Sequence, residues 1–231
     1  MNSLTMAIAD FDRDILLALN SFGGGNKDLW ELANNSLFRG FPLFFSLPAL
    51  WFSGDDRVRR GRMLAGLLAV CLATVFSVWL QFHIDIHTRP ILDAALHLET
   101  VIPPWTWDRK SSFPSDTATL FFGLAAVVFA EKRWVGLFCL VWVAVIIAIP
   151  RVIFGFHYAS DIVGSLLLGP AFVFVLAGSP YPRRLFERAL VLFEGRMYIV
   201  HASLFGFLAE ASNLFLSLQA LGKAVVRLLH S

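Results

Sequence analysis

The feature that most constrains this chain is residues 63–82, an uncharged and mostly apolar run. About 20 such residues form a helix about 30 Å long, which matches the hydrocarbon thickness of a bilayer. Because a helix satisfies its own backbone hydrogen bonds, a segment of this kind can cross a membrane. The composition agrees: 57% of the residues are hydrophobic and 16% are charged, whereas about a quarter are charged in a soluble domain.

Other apolar segments extend this pattern along the chain. Four further spans are predicted at residues 38–52, 117–130, 134–149 and 162–177. Residues 8–22 alternate apolar and charged residues at helical spacing, which predicts an amphipathic helix in the membrane interface. Residues 198–221 contain His201, Glu210 and Asn213, so either a sixth span or a helix packed on the bundle fits them. We predict an all-α polytopic membrane bundle of five to six spans, a single domain over residues 1–231 with its core at 38–178 and a C-terminal helical segment at 188–231.

The basic residues predict an orientation. One set of loops is rich in them: Arg57, Arg59, Arg60, Arg62, Lys132, Arg133, Arg183, Arg184 and Arg188. The opposite loops, residues 83–110 and 151–157, mix acidic and basic groups. By the positive-inside rule the first set faces the cytoplasm and the second faces outward. The net charge of +2 is small, so nucleic acid is not expected as a partner.

Polar groups that are distant in sequence meet on the outward face. The pattern Arg151-x5-His157-x3-Asp161 would place the imidazole and the carboxylate on one side of a helix. A carboxylate there can fix the histidine tautomer and leave the other ring nitrogen as a nucleophile. The guanidinium of Arg151 suits phosphoryl oxygens. The alternative is a simple interfacial ion pair between Arg151 and Asp161.

Two shorter motifs face the same way. Pro114-Ser115 opens a predicted helix, whose N-terminus could bind an anion or could simply be capped by Ser115. Arg89-Pro90 follows the span at residues 63–82 and brings another fixed cation to this face. Charge near a membrane is costly to bury, which favours a functional role for it.

Together these residues resemble the type 2 phosphatidic acid phosphatase superfamily, which includes lipid phosphate and undecaprenyl-diphosphate phosphatases. The family pattern is K-x6-R-P, then P-S-G-H, then S-R-x5-H-x3-D. The matching residues are Arg89, Pro90, Pro114, Ser115, Arg151, His157 and Asp161. The first two motifs are degenerate, because Phe82 replaces the lysine, while Asp116 and Thr117 replace the glycine and histidine of the second. Pro150 replaces the serine of the third motif.

The resemblance implies roles for these residues. His157 would form a phosphohistidine and Asp161 would orient it, while Arg89, Ser115 and Arg151 would hold the phosphoryl oxygens. The histidine missing at Thr117 is the family's general acid, so a diphosphate, whose leaving group is a stable anion, is the expected substrate. Auxiliary candidates are Asp116, Thr117, Lys110, His83 and His87.

The expected partner is therefore a membrane lipid, in a bacterial inner membrane with the site on the extracytoplasmic side. The resemblance implies no cofactor, and no metal is expected, because His83 and His87 are spaced like ligands but lack a third. The alternative function is a non-catalytic lipid-phosphate binding or transport protein that keeps the fold. Protein partners are not predicted.

Overall fold

The computed structural model describes residues 3–54, 56–103 and 111–216. Their regular structure is helical, apart from one antiparallel bridge between Thr88 and Ser111. The helices are α1 (Ser3–Gly23), α2 (Lys27–Asn34), α3 (Ser36–Phe52), α4 (Arg57–His83), α5 (Asp116–Glu131), α6 (Arg133–Ile153), α7 (Ala159–Gly178), α8 (Pro180–Leu192) and α9 (Met197–Ser212). The predicted all-α fold is confirmed.

The five predicted spans correspond to α3 through α7. Within the described residues, α4, α6 and α7 are long and apolar enough to cross a membrane, at 27, 21 and 20 residues. The other two are shorter, with 17 residues in α3 and 16 in α5. Helix α5 is enclosed by its neighbours, since every residue from Thr117 to Val128 is buried.

Local sequence signals determine where these helices begin. Asp56 caps α4 by accepting hydrogen bonds from the amides of Val58 and Arg59, and such caps satisfy donors that a helix start leaves unbonded. Helix α6 passes through a π-helical stretch, Val143–Ala148, just before Pro150. Proline has no amide hydrogen and its ring clashes with the preceding turn, so a wider turn before it lets the helix continue to Ile153.

Close helix packing around α5 depends on glycine. A Cβ on Gly123 would lie 3.0 Å from a methyl carbon of Val70 on α4. A Cβ on Gly169 of α7 would lie 2.5 Å from the carbonyl oxygen of Thr119 on α5. These contacts bring α4 and α7 close to the first turns of α5, where the polar motifs lie.

The basic end of the bundle differs in one respect from the prediction. The residues around Arg183 and Arg184 lie in helix α8 instead of a loop. A proline in its first turn favours the helix start, and α8 packs on α4, where a Cβ on Gly61 would touch Glu187. At this end Arg62 donates to both carboxylate oxygens of Glu131 at 2.6 and 2.8 Å.

The N-terminal and C-terminal segments pack against the bundle, more closely than helices that only lie in the membrane interface would. Helix α1 buries Asp12, Leu16 and Asn20. The Asn20 amide donates to the carbonyl oxygens of Glu99 and Ile153 at 2.9 and 2.8 Å, which fixes α1 against the loop at Glu99 and the end of α6. At the other end, α9 stops at Ser212, earlier than the predicted limit of residue 221.

The chain leaves the helical path after α9 because Leu214 and Phe215 have φ values of 55° and 56°. These left-handed conformations end a helix. The predicted segment at 188–231 is thus helical over Met197–Ser212 and the end of α8, and its residues 217–231 lie outside the described part of the chain.

Candidate active site

His157 lies in the short connection before α7 and not on the helix itself. The residue is almost fully buried, at 2% exposure. Ring nitrogen Nδ1 is 2.9 Å from the carbonyl oxygen of Ser112. Because a carbonyl only accepts, the hydrogen is on Nδ1, and Nε2 carries the lone pair. The residue is therefore in the tautomer that a nucleophilic Nε2 requires.

Asp161 stands at the start of α7, beside that protonated nitrogen. Its Oδ2 is 3.5 Å from His157 Nδ1 and accepts a hydrogen bond from the Tyr158 amide at 2.9 Å. This hydrogen bond from the Tyr158 amide orients the Asp161 carboxylate back over the N-terminus of α7. The predicted pairing of His157 and Asp161 is present. It joins a residue just before α7 to one in the first turn of α7, instead of two residues on one face of a helix.

Arg89 brings a cation to the other side of the imidazole. Its Nη1 donates to the Phe156 carbonyl at 3.0 Å and lies 3.4 Å from His157 Nε2. Its Nη2 donates to Gln81 Oε1 at 3.2 Å. A phosphoryl group held by this guanidinium would meet the Nε2 lone pair.

A cavity of about 630 Å³ contains these reactive groups. At one end it is lined by Arg89, Arg151 and His157. Arg151 also places its Cζ 5.6 Å from the centre of the Phe156 ring, a cation–π arrangement that orients the guanidinium. The other end is apolar and follows one face of α4, through Cys71, Val75 and Val78.

Burial affects the charge of the histidine. It lowers the pKa of His157 below the usual range, an effect that Asp161 partly offsets because a nearby carboxylate favours the protonated ring. The ring is therefore neutral near pH 7, as nucleophilic attack requires.

Comparison with known proteins identifies the family of the chain. The family model described as PAP2 superfamily matches residues 62–184, which is more than half of the chain. This chain belongs to the PAP2 superfamily. It is also 32% identical over 126 residues to YbjG of Escherichia coli (strain K12), a protein named for a proposed undecaprenyl-diphosphatase activity. That match covers 52% of this chain and 57% of YbjG, and no solved structure matches the chain.

Membership of the PAP2 superfamily supports a lipid phosphatase role at the level of the superfamily, and the structure shows where the family positions lie. Thr117 and Asp116, in the first turn of α5, line the cavity. Ser115 is buried and caps α5, since its hydroxyl accepts from the Ala118 amide at 3.3 Å. It does not line the cavity, and its phosphate-binding role stays a prediction.

The auxiliary candidates separate into different places. His83 stacks on Trp79, with ring centres 4.7 Å apart, and is not part of the cavity lining. His87 lies behind Asp161, with its Nδ1 3.2 Å from Oδ1. Lys110 lies outside the described residues.

Two residues of this PAP2 site were missed at the sequence level. Gln81 is buried and donates to the Pro114 carbonyl at 2.7 Å while accepting from Arg89. Ser112 binds His157 through its main chain. An amide near the end of an apolar span is a signal that could have identified Gln81, but a main-chain contact leaves no mark on the sequence.

The acidic and histidine side chains do not resemble a metal centre. Across residues 3–54, 56–103 and 111–216 there is no group of three histidine, cysteine or acidic side chains arranged to hold an ion. The polar groups described around His157 are a main-chain carbonyl, a carboxylate and the guanidinium of Arg89.

Proposed function

We propose that this chain is a membrane lipid phosphatase or phosphotransferase that acts on a polyprenyl diphosphate through a phosphohistidine. The observation that carries the proposal is the position of His157 Nε2, which lies 3.4 Å from Arg89 Nη1 at the polar end of the cavity. Nucleophile and phosphate-binding cation thus lie side by side.

The reaction follows from this geometry. Nε2 attacks the terminal phosphorus as Arg89 and Arg151 hold the phosphoryl oxygens. A P–N bond forms while the P–O bond to the leaving group breaks, and the leaving oxygen departs with the electron pair. The Nδ1–H is held by the Ser112 carbonyl, and the Asp161 charge stabilises the cationic phosphorylated ring. Water, or an acceptor hydroxyl in a transferase, then attacks phosphorus. The P–N bond breaks and its electron pair returns to Nε2, while the proton of the attacking oxygen leaves with the phosphate product or to solvent, which restores His157.

The leaving group is what favours a diphosphate. Thr117 lines the cavity where the family carries an acidic histidine, and a threonine hydroxyl is no useful acid at neutral pH. An alkoxide from a phosphomonoester needs a proton, and general acid catalysis typically contributes about 10²–10⁴-fold. A lipid phosphate leaves as a stable anion, so its departure depends less on that proton.

The shape of the cavity favours a lipid. Cys71, Thr74, Val75 and Val78 share one face of α4 and extend the cavity away from the polar end. Seven positions of helix span about 10 Å, which is room for several isoprene units. We infer that the polar end receives the diphosphate and the apolar end receives the hydrocarbon chain.

The location of the site in the cell is part of the proposal. Basic residues such as Arg57 and Arg62 lie at the end of α4 opposite Gln81 and the cavity's polar end. The positive-inside rule then supports a site on the extracytoplasmic side of a bacterial inner membrane.

A second function is favoured by a different observation. The lysine and histidine of the family are replaced by Phe82 and Thr117, which is the pattern expected of a non-catalytic lipid-phosphate binding or transport protein. The complete His157–Asp161 pair argues for the enzyme, because binding alone does not require a correctly protonated nucleophile.

Phosphate release from a panel of lipid substrates distinguishes these functions. We expect the purified protein to cleave a polyprenyl diphosphate faster than phosphatidic acid. His157→Ala should lower this rate at least about a thousandfold, as removal of a covalent nucleophile does. The matched control is His83→Ala, which removes an exposed histidine remote from the cavity.

Three results would contradict parts of the proposal. A preference for phosphatidic acid would exclude the diphosphate assignment. Release that survives His157→Ala would exclude the phosphohistidine. Tight binding of the lipid diphosphate without release from any substrate would favour the binding protein.

A further inference from the structure

The Asp161 carboxylate is shared by two histidines, one on each oxygen. His157 Nδ1 lies 3.5 Å from Oδ2, and His87 Nδ1 lies 3.2 Å from Oδ1. His87 comes from the loop after α4, two residues before Arg89. It belongs to none of the three family motifs.

The position of His87 is built into the fold. Its carbonyl accepts a hydrogen bond from the Ser112 amide at 2.9 Å, next to the bridge between Thr88 and Ser111. Its ring packs edge-on against Tyr158, with centres 5.2 Å apart. Ser112 therefore contacts both histidines, because its amide binds the main chain of His87 and its carbonyl accepts from His157.

His87 is also the solvent-facing member of this group. Its side chain is 30% exposed, whereas those of Asp161 and His157 are 0% and 3% exposed. It does not line the cavity. It therefore cannot donate a proton to a leaving group there. Its ring meets the site at Asp161 Oδ1 and, at 3.5 Å, at the Ser112 hydroxyl.

The proton that His87 exchanges is on its other nitrogen. Because a carboxylate faces Nδ1, that nitrogen keeps its hydrogen in both charge states, and Nε2 gains or loses the second proton. The close contact between Nδ1 and Asp161 Oδ1 therefore persists while the charge of the ring changes. A cationic His87 neutralises Asp161, and a neutral His87 leaves the full carboxylate charge to His157.

We propose that His87 is a positioning residue whose protonation withdraws the Asp161 charge from His157 and slows phosphoryl transfer. This inference rests on the proposed function. A neutral His87 lets Asp161 stabilise the cationic phosphorylated ring of His157. Activity consequently rises as pH increases through the pKa of His87.

The surrounding charges support this assignment. The hydrogen bond to Asp161 is the main cause that raises the pKa of His87 above its usual range, and Asp12 on α1 adds to it. Tyr158, packed on the same ring, has a pKa raised by burial and stays neutral. The pKa of His157 is lowered, so the two histidines titrate in separate pH ranges.

The pH dependence of kcat tests the proposal. With a polyprenyl diphosphate, we expect wild type to gain activity through an ionisation in roughly the pH 6–8 range, where histidines titrate. His87→Asn keeps a neutral donor beside Asp161, so its kcat should stay near the wild-type high-pH value without that ionisation. His87→Ala should lose about threefold to tenfold in kcat at high pH, with KM unchanged, while His83→Asn keeps the wild-type profile.

A second measurement does not depend on turnover. In NMR titrations of histidine-labelled protein, His87 should titrate above an ordinary histidine, and Asp161→Asn should shift its pKa downward. An unchanged His87 pKa in Asp161→Asn, or the wild-type pH profile in His87→Asn, would overturn the proposal. If only the proposed function were wrong, turnover would not depend on His157, while Asp161→Asn would still lower the pKa of His87.

Discussion

At the scale of single residues, Thr117 is the position where this site departs from the family's general acid. It lines the cavity in the first turn of α5, on the same wall as Asp116. Its hydroxyl cannot protonate an alkoxide at neutral pH. We infer that this substitution, more than any change in phosphate binding, separates diphosphate from monoester chemistry.

Placing a histidine at position 117 should restore the missing acid. We expect Thr117→His to raise kcat/KM for phosphatidic acid at least about tenfold, the low end of what a general acid contributes. Cleavage of the polyprenyl diphosphate should change by less than about threefold, since its leaving group needs that proton less. Phosphate release from both substrates measures the ratio.

Thr117→Val is the matched control, because it removes the hydroxyl without adding an acid. It should leave the preference for diphosphate unchanged. If Thr117→His altered both substrates equally, the leaving-group argument would be wrong.

A similar point applies at position 82, where the family has a cation that binds phosphate. Phe82 stands where the family has lysine, and its side chain is 63% exposed on the outside of α4. The neighbouring Gln81 is the residue that points inward, at 2% exposure, and bonds to Arg89. A neutral amide that holds an arginine thus occupies the inward face of this helix end.

At the scale of elements, the site depends on how closely α7 approaches α5. Gly169 faces the main chain of α5 at Thr119 and Gly123. The Ser165 hydroxyl, one turn earlier, donates to the Ser115 carbonyl at 2.9 Å. This packing fixes the N-terminus of α7, and with it Asp161, against the first turn of α5.

Gly169→Ala should therefore separate the two helices. The added Cβ would lie 2.5 Å from the Thr119 carbonyl oxygen, and such overpacking typically costs about 1–3 kcal/mol. We expect the melting temperature in detergent to fall by roughly 2–10 °C, with kcat lowered as well.

Gly178→Ala is the control at the end of the same helix. A Cβ there would have no heavy atom within 4 Å, so the melting temperature should stay the same or rise slightly. Equal melting temperatures for the two variants would contradict the packing argument.

The elements were largely predictable from sequence, and their contacts were not. Uncharged runs identify α4 and α7 because bilayer thickness fixes the length of an apolar helix. The motif around Arg151 and His157 indicates the candidate reactive groups. In contrast, Gln81 and the Asp161–His87 contact depend on how the loop at residues 84–89 folds against Ser111 and Ser112, which no periodicity encodes.

At the scale of the whole molecule, the cavity joins parts of the chain that the family match does not cover. Residues Leu214, Phe215 and Leu216 form part of its lining, although the matched region ends at residue 184. The Arg39 guanidinium on α3 donates to the Ser212 carbonyl at 2.6 Å and so fixes the end of α9 near the cavity. The C-terminal segment therefore helps to shape the cavity.

Cys71 offers a direct test of this cavity. It lines the apolar part, whereas Cys139 is buried in the core near Ser46. We expect a membrane-permeant maleimide to modify Cys71 before Cys139. A non-hydrolysable polyprenyl diphosphonate at ten times its Kd should slow that reaction about tenfold, as measured by mass spectrometry of the intact protein.

Inorganic diphosphate and Cys71→Ser are the controls. The free anion binds only the polar end and should not protect the thiol, and the variant should lose the protectable label. Equal protection by inorganic diphosphate would contradict the assignment of the apolar end to the lipid chain.

The main-chain hydrogen bonds of Ser112 affect how the sequence of such a site can change in evolution. Ser112 holds both histidines through atoms common to every amino acid: its carbonyl accepts from His157 and its amide donates to His87. A mutational scan of side chains passes over these bonds, since alanine has the same carbonyl and amide. The hydroxyl of Ser112 adds side-chain contacts to His87, since it donates to the His87 carbonyl at 3.4 Å and lies 3.5 Å from Nδ1. An insertion in this loop would nevertheless disturb the main-chain bonds to both histidines at once.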